Sequence, residues 1–345
     1  MFTPNDLAQI AQQGISLEAI EAQIANFKKG FPFLHIQKAA TVGDGIVRLN
    51  EEQIAWHTNS YEKNLEGKTI VKFVPASGAA TRMFKDLFAF LDGYDGSQAA
   101  YEKFFAKKDP QSIHYFFENL EKFAFYESLK QVLQKQHQDI ATLKKTKDFK
   151  PIVQALLSDE GLGYGNLPKG LLQFHRYPNG ETRTPVEEHI VEGANYGKDK
   201  SGTVRIHFTV SPEHEEKFKA LVAQKIHRYE KELGIKLIVT FSQQKKSTDT
   251  IAVDLENKPF RNPDGSLLFR PAGHGALLEN LNDIEADIIF IKNIDNVVPD
   301  RLKPETYLYK KALAGLLWHY QEKIWSYQAQ LAKRVTPSLL NELTI

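Results

Sequence analysis

The sequence predicts an α/β protein with a mainly parallel sheet, preceded by helices and interrupted by a helical insertion. Three observations lead there. Ile70, Val71, Phe73 and Val74 form a β-branched and aromatic run of the length of a buried strand, followed by a small-residue turn and a helical pattern. Residues 203–210 alternate like a strand, 212–233 read as a helix and 235–241 as a second strand, a succession that favours parallel pairing. Ile288–Ile291 supplies one more short, wholly apolar run.

Taken in order, Ser16 is placed to cap a helix with Ile20, Ile24 and Phe27 on one face, stopped by Gly30. An apolar stretch (31–36), a turn leading into a short strand at Ile46 and a helix over 51–65 complete a segment, 1–66, expected to pack beside the first strand. After that strand Phe84, Leu87, Phe88 and Leu91 share a helical face. Residues 84–160 continue in helical patterns, with Tyr115, Phe116, Leu120 and Phe123 on one face and Leu129, Val132 and Leu133 on another. Their aromatic and basic mixture is balanced by Glu and Asp, which favours a solvated helical insertion over a nucleic-acid surface. Ser211 and Pro212 read as cap and first residue of the helix between the later strands. The last block, 304–345, is a long amphipathic helix with Tyr307, Leu313, Leu316, Leu317, Tyr320 and Ile324, then a tail after Pro337. The α/β core is thus expected over 67–83 and 161–303.

The chain has 345 residues, 42% of them hydrophobic, which is enough to bury a large core. A net charge of +1 gives no field directed at nucleic acid or membrane, and no apolar run approaches the ~20 residues of a membrane span. The absence of cysteine excludes disulfides and thiolate chemistry. The first residues lack the pattern of a signal peptide, so a cytoplasmic protein is expected.

The chemistry centres on the turn at 75–83. Residues no larger than Ser at Ala76, Ser77, Gly78, Ala79 and Ala80 let backbone N–H groups converge on an anion, and Arg82 adds a fixed cation. The same residues would also suit a strand-to-helix turn packed in little space. The turn is neither a Walker loop nor a dinucleotide fingerprint. Thr81-Arg82-Met83, with Gly78 before it, resembles the Leu-Ala-Gly-Gly-x-Gly-Thr-Arg-Met signature of the sugar nucleotidylyltransferases, with Ser77 and Ala80 standing where glycines are usual. Pro168-Lys169 and Thr184-Pro185-Val186-Glu187 resemble the next motifs of that superfamily, here displaced by the insertion. Phe241-Ser242-Gln243 and Pro271-Ala272-Gly273-His274-Gly275 resemble the base-binding segments of the UDP-sugar pyrophosphorylases, with Ala276 in place of an acidic residue.

The resemblance implies a three-layer α/β/α, Rossmann-like nucleotide-diphospho-sugar-transferase fold, and the altered loop points to an uncharacterised bacterial domain family within it. It implies nucleotidyl transfer between a nucleoside triphosphate, UTP favoured, and a sugar 1-phosphate. Residues 78–81 and Arg82 would then hold the β- and γ-phosphates, and Lys169 the α-phosphate. Gln243 and the turn of Gly273, His274 and Gly275 would meet the base, and Asp295, past the carboxyl end of Ile288–Ile291, would hold Mg²⁺. On the residues alone Asp295 could be a turn residue and His274 a loop histidine, while the flanking glycines favour a backbone role there. Members of the superfamily continue with a further block that builds the sugar site and a second metal ligand, whereas about fifty residues follow Asp295 here. Either the chain is divergent or truncated, or the N-terminal helices and the insertion supply the acceptor site. A non-catalytic nucleotide-binding protein of the same fold is the alternative.

Overall fold

The structure is a computed structural model that describes residues 2–78 and 80–343, the His274 side chain excepted. At its centre lies a four-stranded sheet of β1 (Ile70–Pro75), β2 (Thr203–Thr209), β3 (Lys236–Ser242) and β4 (Ile288–Ile291). The order is β4-β1-β2-β3, and every neighbouring pair is parallel. β1 is buried at every residue, which is why its sequence is a run rather than an alternation. The chain moves outward from β1 through β2 to β3, then crosses back to set β4 on the other flank of β1. The carboxyl ends of β1 and β4 therefore flank the switch point of the sheet, where parallel sheets leave a crevice.

One sheet face is covered by α1 (Glu51–Lys63), α2 (Pro185–Tyr196), α3 (Glu215–Leu233) and α4 (Lys303–Lys333). α2 opens with a capping box, Thr184 and Glu187 each accepting from the other's backbone N–H, and every residue in it except Asn195 is buried. On the opposite face the helix Leu278–Asn282 is anchored by Asn280, whose Nδ2 donates to Ser242 Oγ (2.9 Å) and Gln243 O (2.8 Å). Beyond that helix Ile238 and Ile291 are left 37% and 49% exposed, so this layer is thinner than the first.

Three expectations change. The helices Pro4–Gln13 and Leu17–Lys29 do not pack on β1. Ile10, Ile15 and Ile20 bury against Ile251 and Leu267, while Gln9 and Leu267 exchange backbone-to-side-chain hydrogen bonds. The α3 helix begins at Glu215, because Val210 N–H still donates to Ser242 O and the chain must turn over 212–214 before it can coil. In α4 the buried residues include Ala312, Ala314, Gly315 and Trp318, while Leu313, Leu317, Tyr320 and Ile324 are exposed. Small residues form the packing face because α1 approaches so closely: a Cβ on Gly315 would stand 1.9 Å from His57 O.

The insertion has its own core, in which Phe90, Leu120, Leu129, Leu133, Ile152 and Leu156 are fully buried. Its helices pack on one another rather than on the sheet. Both of its ends meet at the tip of β1, where Lys169 N–H donates to Gly78 O (3.2 Å) and Ala80 N–H to Leu167 O (3.4 Å). No helix among the described residues is long and apolar enough to cross a membrane.

Candidate functional site

Five stretches far apart in the chain meet at the carboxyl ends of β1 and β4 around a cavity of about 540 Å³. The first is the turn after β1, which lines it with Ser77, Gly78, Thr81 and Arg82. Ser77 and Gly78 are exposed, and their amides have no partner among the described residues. A Cβ on Gly78 would meet no heavy atom within 4 Å, so the space beside this backbone is open. Ala76 and Ala80 are fully buried, and their N–H groups are taken by Thr209 O (2.7 Å) and Leu167 O (3.4 Å). These two shape the turn but offer no donor to an anion. Ala79 lies outside the described residues.

Lys169 enters from the far end of the insertion and Asp295 from the turn after β4. Their side chains meet directly, Lys169 Nζ standing 2.6 Å from Asp295 Oδ2. The Asp295 turn is pinned by three hydrogen bonds, two to β1 and one from α2. Lys292 N–H donates to Phe73 O and Ile294 N–H to Pro75 O, both at 3.1 Å, and His189 Nε2 donates to Ile294 O at 3.1 Å. Full burial holds His189 well below the usual histidine range, so it is neutral. The carbonyl at Nε2 fixes the proton there, and Nδ1 is left without a partner among the described residues.

The fourth stretch contributes Ala272, Gly273 and Leu277. Gly273 also has open space beside it, whereas Gly275 is exposed but does not line the cavity, and the His274 side chain is outside the described residues. Gln243 turns away and donates from Nε2 to Glu215 Oε2 (2.7 Å). Its neighbour Gln244 takes the place at the cavity: both glutamines lie past the end of β3 at Ser242, where strand alternation no longer sets their direction, and Gln243 is drawn to Glu215. Asn293 is a further lining residue not expected from the sequence. No periodic signal marked it, because Asn293 lies past the end of β4 in the turn that carries Asp295.

Beneath the crevice lie two charge networks that periodicity did not announce, carried by Glu188 and Glu192 of the buried α2. Glu192 accepts from Lys72 Nζ (2.9 Å) and Lys292 Nζ (2.7 Å). Burial pushes Glu192 up, but the two ammonium charges outweigh it and hold the carboxyl below its usual range. Burial lowers Lys72 to about 7. Glu188 pairs with Lys303 and accepts from Tyr177 OH (2.6 Å), with His175 Nδ1 2.8 Å away. Asp300 holds Arg183 (2.9 Å) and Lys303 (2.8 Å), so this second network ties residues 175–183 to α2 and the start of α4.

As a metal site the crevice offers one carboxylate. Among the described residues no three His, Asp or Glu side chains gather for an ion, and Asp295 Oδ1 has no partner while Oδ2 is held by Lys169. That donor set fits Mg²⁺ only where phosphate oxygens and water supply the remaining ligands.

Fold and crevice define an α/β protein with a four-stranded parallel sheet and, at its switch point, a cleft lined by Arg82, Lys169 and Asp295. The chain belongs to the family described as domain of unknown function DUF4301, whose model matches residues 3–344. No curated protein and no solved structure shows a significant match to it.

Proposed function

We propose that the crevice binds a nucleoside triphosphate and transfers its nucleotidyl group to a phosphate monoester. The observation that carries this reading is the convergence of Ser77, Gly78, Thr81, Arg82, Lys169, Gly273 and Asp295, in the order of the nucleotidylyltransferase motifs they resemble, on one cavity at the switch point. An acceptor phosphate oxygen would attack the α-phosphorus. The new P–O bond forms as the bond to the β-phosphate oxygen breaks, and pyrophosphate leaves with the electron pair. The attacking oxygen is already ionised, so no base is required. The free amides of Ser77 and Gly78 and the Arg82 guanidinium would hold the β- and γ-phosphates. Lys169 would leave Asp295 for the α-phosphate, freeing the carboxylate. A Mg²⁺ ion held by Asp295 would neutralise phosphate charge. Gln244 and the Gly273 backbone would meet the base, UTP being favoured by the resemblance alone, which also names a sugar 1-phosphate as acceptor.

One observation favours a second reading, a nucleotide-binding protein without turnover: the lone carboxylate is already paired with the lysine. Incubation with each triphosphate, Mg²⁺ and a panel of sugar and aryl phosphates, followed by pyrophosphate assay, separates the two. Release above background is expected. Nucleotide binding with no release across the panel would favour the binding protein, and no binding at all would overturn both.

A further inference from the structure

A second cavity, of about 630 Å³, opens in the insertion and shares Arg82 with the first. The segments 82–87 and 172–174 form part of its wall, so the chain that carries Arg82 and the chain that follows Lys169 both border it. The inner wall is aromatic and aliphatic, with Phe116, Phe123, Phe125, Tyr164, Leu172 and Phe174. The polar groups among these walls are already in use, apart from the Tyr164 O–H, which accepts but has no acceptor of its own among the described residues. Gln173 donates from Nε2 to Thr182 Oγ1 (3.0 Å) and accepts from Ser128 Oγ (3.2 Å), and its N–H donates to Tyr164 OH (3.1 Å). Ser112 Oγ donates to Asp109 O (2.7 Å) and accepts from Tyr115 N–H (3.1 Å). Burial pushes the Tyr164 hydroxyl up to about 12. The lining side chains with unpartnered polar atoms, among the described residues, are Arg82, Asp86, Gln111 and Tyr115, and all four are exposed.

A hexose would bring a hydroxyl on nearly every carbon into walls with few free partners, and each unmade hydrogen bond would weaken binding. An apolar ring loses nothing there and gains contact with the aromatic faces. We propose that this cavity takes the body of the acceptor, and that the acceptor is a phosphate monoester of an apolar, ring-sized alcohol whose phosphate reaches the crevice along the chain that follows Lys169. The proposal rests on the nucleotidyl-transfer reading and departs from the sugar 1-phosphate that the resemblance implies.

The probes are 1-naphthyl phosphate and α-glucose 1-phosphate, titrated by calorimetry into the parent protein, Phe174→Ala and Gln111→Trp, with UTP and ATP titrated in parallel. Gln111 is exposed, so its replacement narrows the mouth without entering the core. Naphthyl phosphate should bind at least about tenfold tighter than glucose 1-phosphate, as burial of one aromatic ring allows. Both substitutions should weaken it about fivefold or more while leaving triphosphate affinity within about twofold, as for a change that removes only local contacts. Equal or tighter binding of glucose 1-phosphate, or naphthyl phosphate binding indifferent to both substitutions, overturns the apolar acceptor. Naphthyl phosphate binding as expected in a protein that binds no triphosphate overturns the acceptor role and the nucleotidyl-transfer reading together, leaving an aryl phosphate site.

Discussion

Lys169 and Asp295 were expected to face a substrate, and they face each other at 2.6 Å. The pair is partly exposed, so it is weak enough to exchange for phosphate and metal. Arg82 has no such partner among the described residues and is exposed, so Arg82→Ala should leave the fold intact. It should weaken triphosphate binding or turnover by ~10²–10³, as removal of one preorganised donor does. Unchanged affinity in calorimetry would take Arg82 out of the site. Lys72 tests the buried network. Unfolded, it keeps its proton up to the ordinary lysine value of 10.5, and folded it loses it at about 7. Between those values the unfolded chain binds more protons, so this group makes stability rise with pH and adds no further change below the lower value. Lys72→Met should flatten the rise and cost less than about 1 kcal/mol near neutral pH, since Glu192 keeps Lys292. Glu192→Leu leaves the buried Lys292 ammonium without its carboxylate and should cost about 3–5 kcal/mol. Urea denaturation of the three proteins across this range checks both, and parent and Lys72→Met curves of equal slope would show that Lys72 does not titrate there.

At the scale of elements, what could be read from the sequence was what local pattern determines. The strands and the Ser16 cap follow from short-range periodicity and side-chain chemistry, and they form where expected. Features that depend on a distant neighbour were hidden. Gly315 looks like a weak point in a long helix until α1 is set against it. Leu313 and Leu317 look like core until that approach selects Ala312, Ala314 and Gly315 instead. The site divides the same way. Arg82, Lys169 and Asp295 were legible from residue type and order, whereas the exchange of Gln243 for Gln244 depends on where β3 ends. Gly315→Ala should therefore destabilise by about 1–3 kcal/mol or more, because the new methyl group meets a backbone carbonyl that cannot rotate away. Thermal unfolding followed by circular dichroism reads this, and an unchanged Tm would mean that α1 and α4 do not cross so closely.

On the scale of the whole molecule, the crevice joins residues from both flanks of the sheet and from both ends of the insertion, and its chemistry depends on their meeting. Asp295→Ala should cost little stability, since the carboxylate is partly exposed and held by one side chain. It should abolish the Mg²⁺ dependence of triphosphate binding, which the parent should show only when nucleotide is present. Calorimetry with and without Mg²⁺ decides this, and equal, metal-independent binding by both proteins would leave Asp295 a turn residue. The attachment of the insertion has a mechanical side. Its body hangs from the sheet by a neck of two chain segments, hydrogen-bonded at Gly78–Lys169 and Ala80–Leu167. Lys169 sits in one of those segments and Arg82 follows directly on the other. A rocking of the helical body about that neck would change the gap between the two cations, as the handles of a pair of tongs set the distance between its tips. Anything that wedges or stiffens the body would thereby set the grip at the sheet.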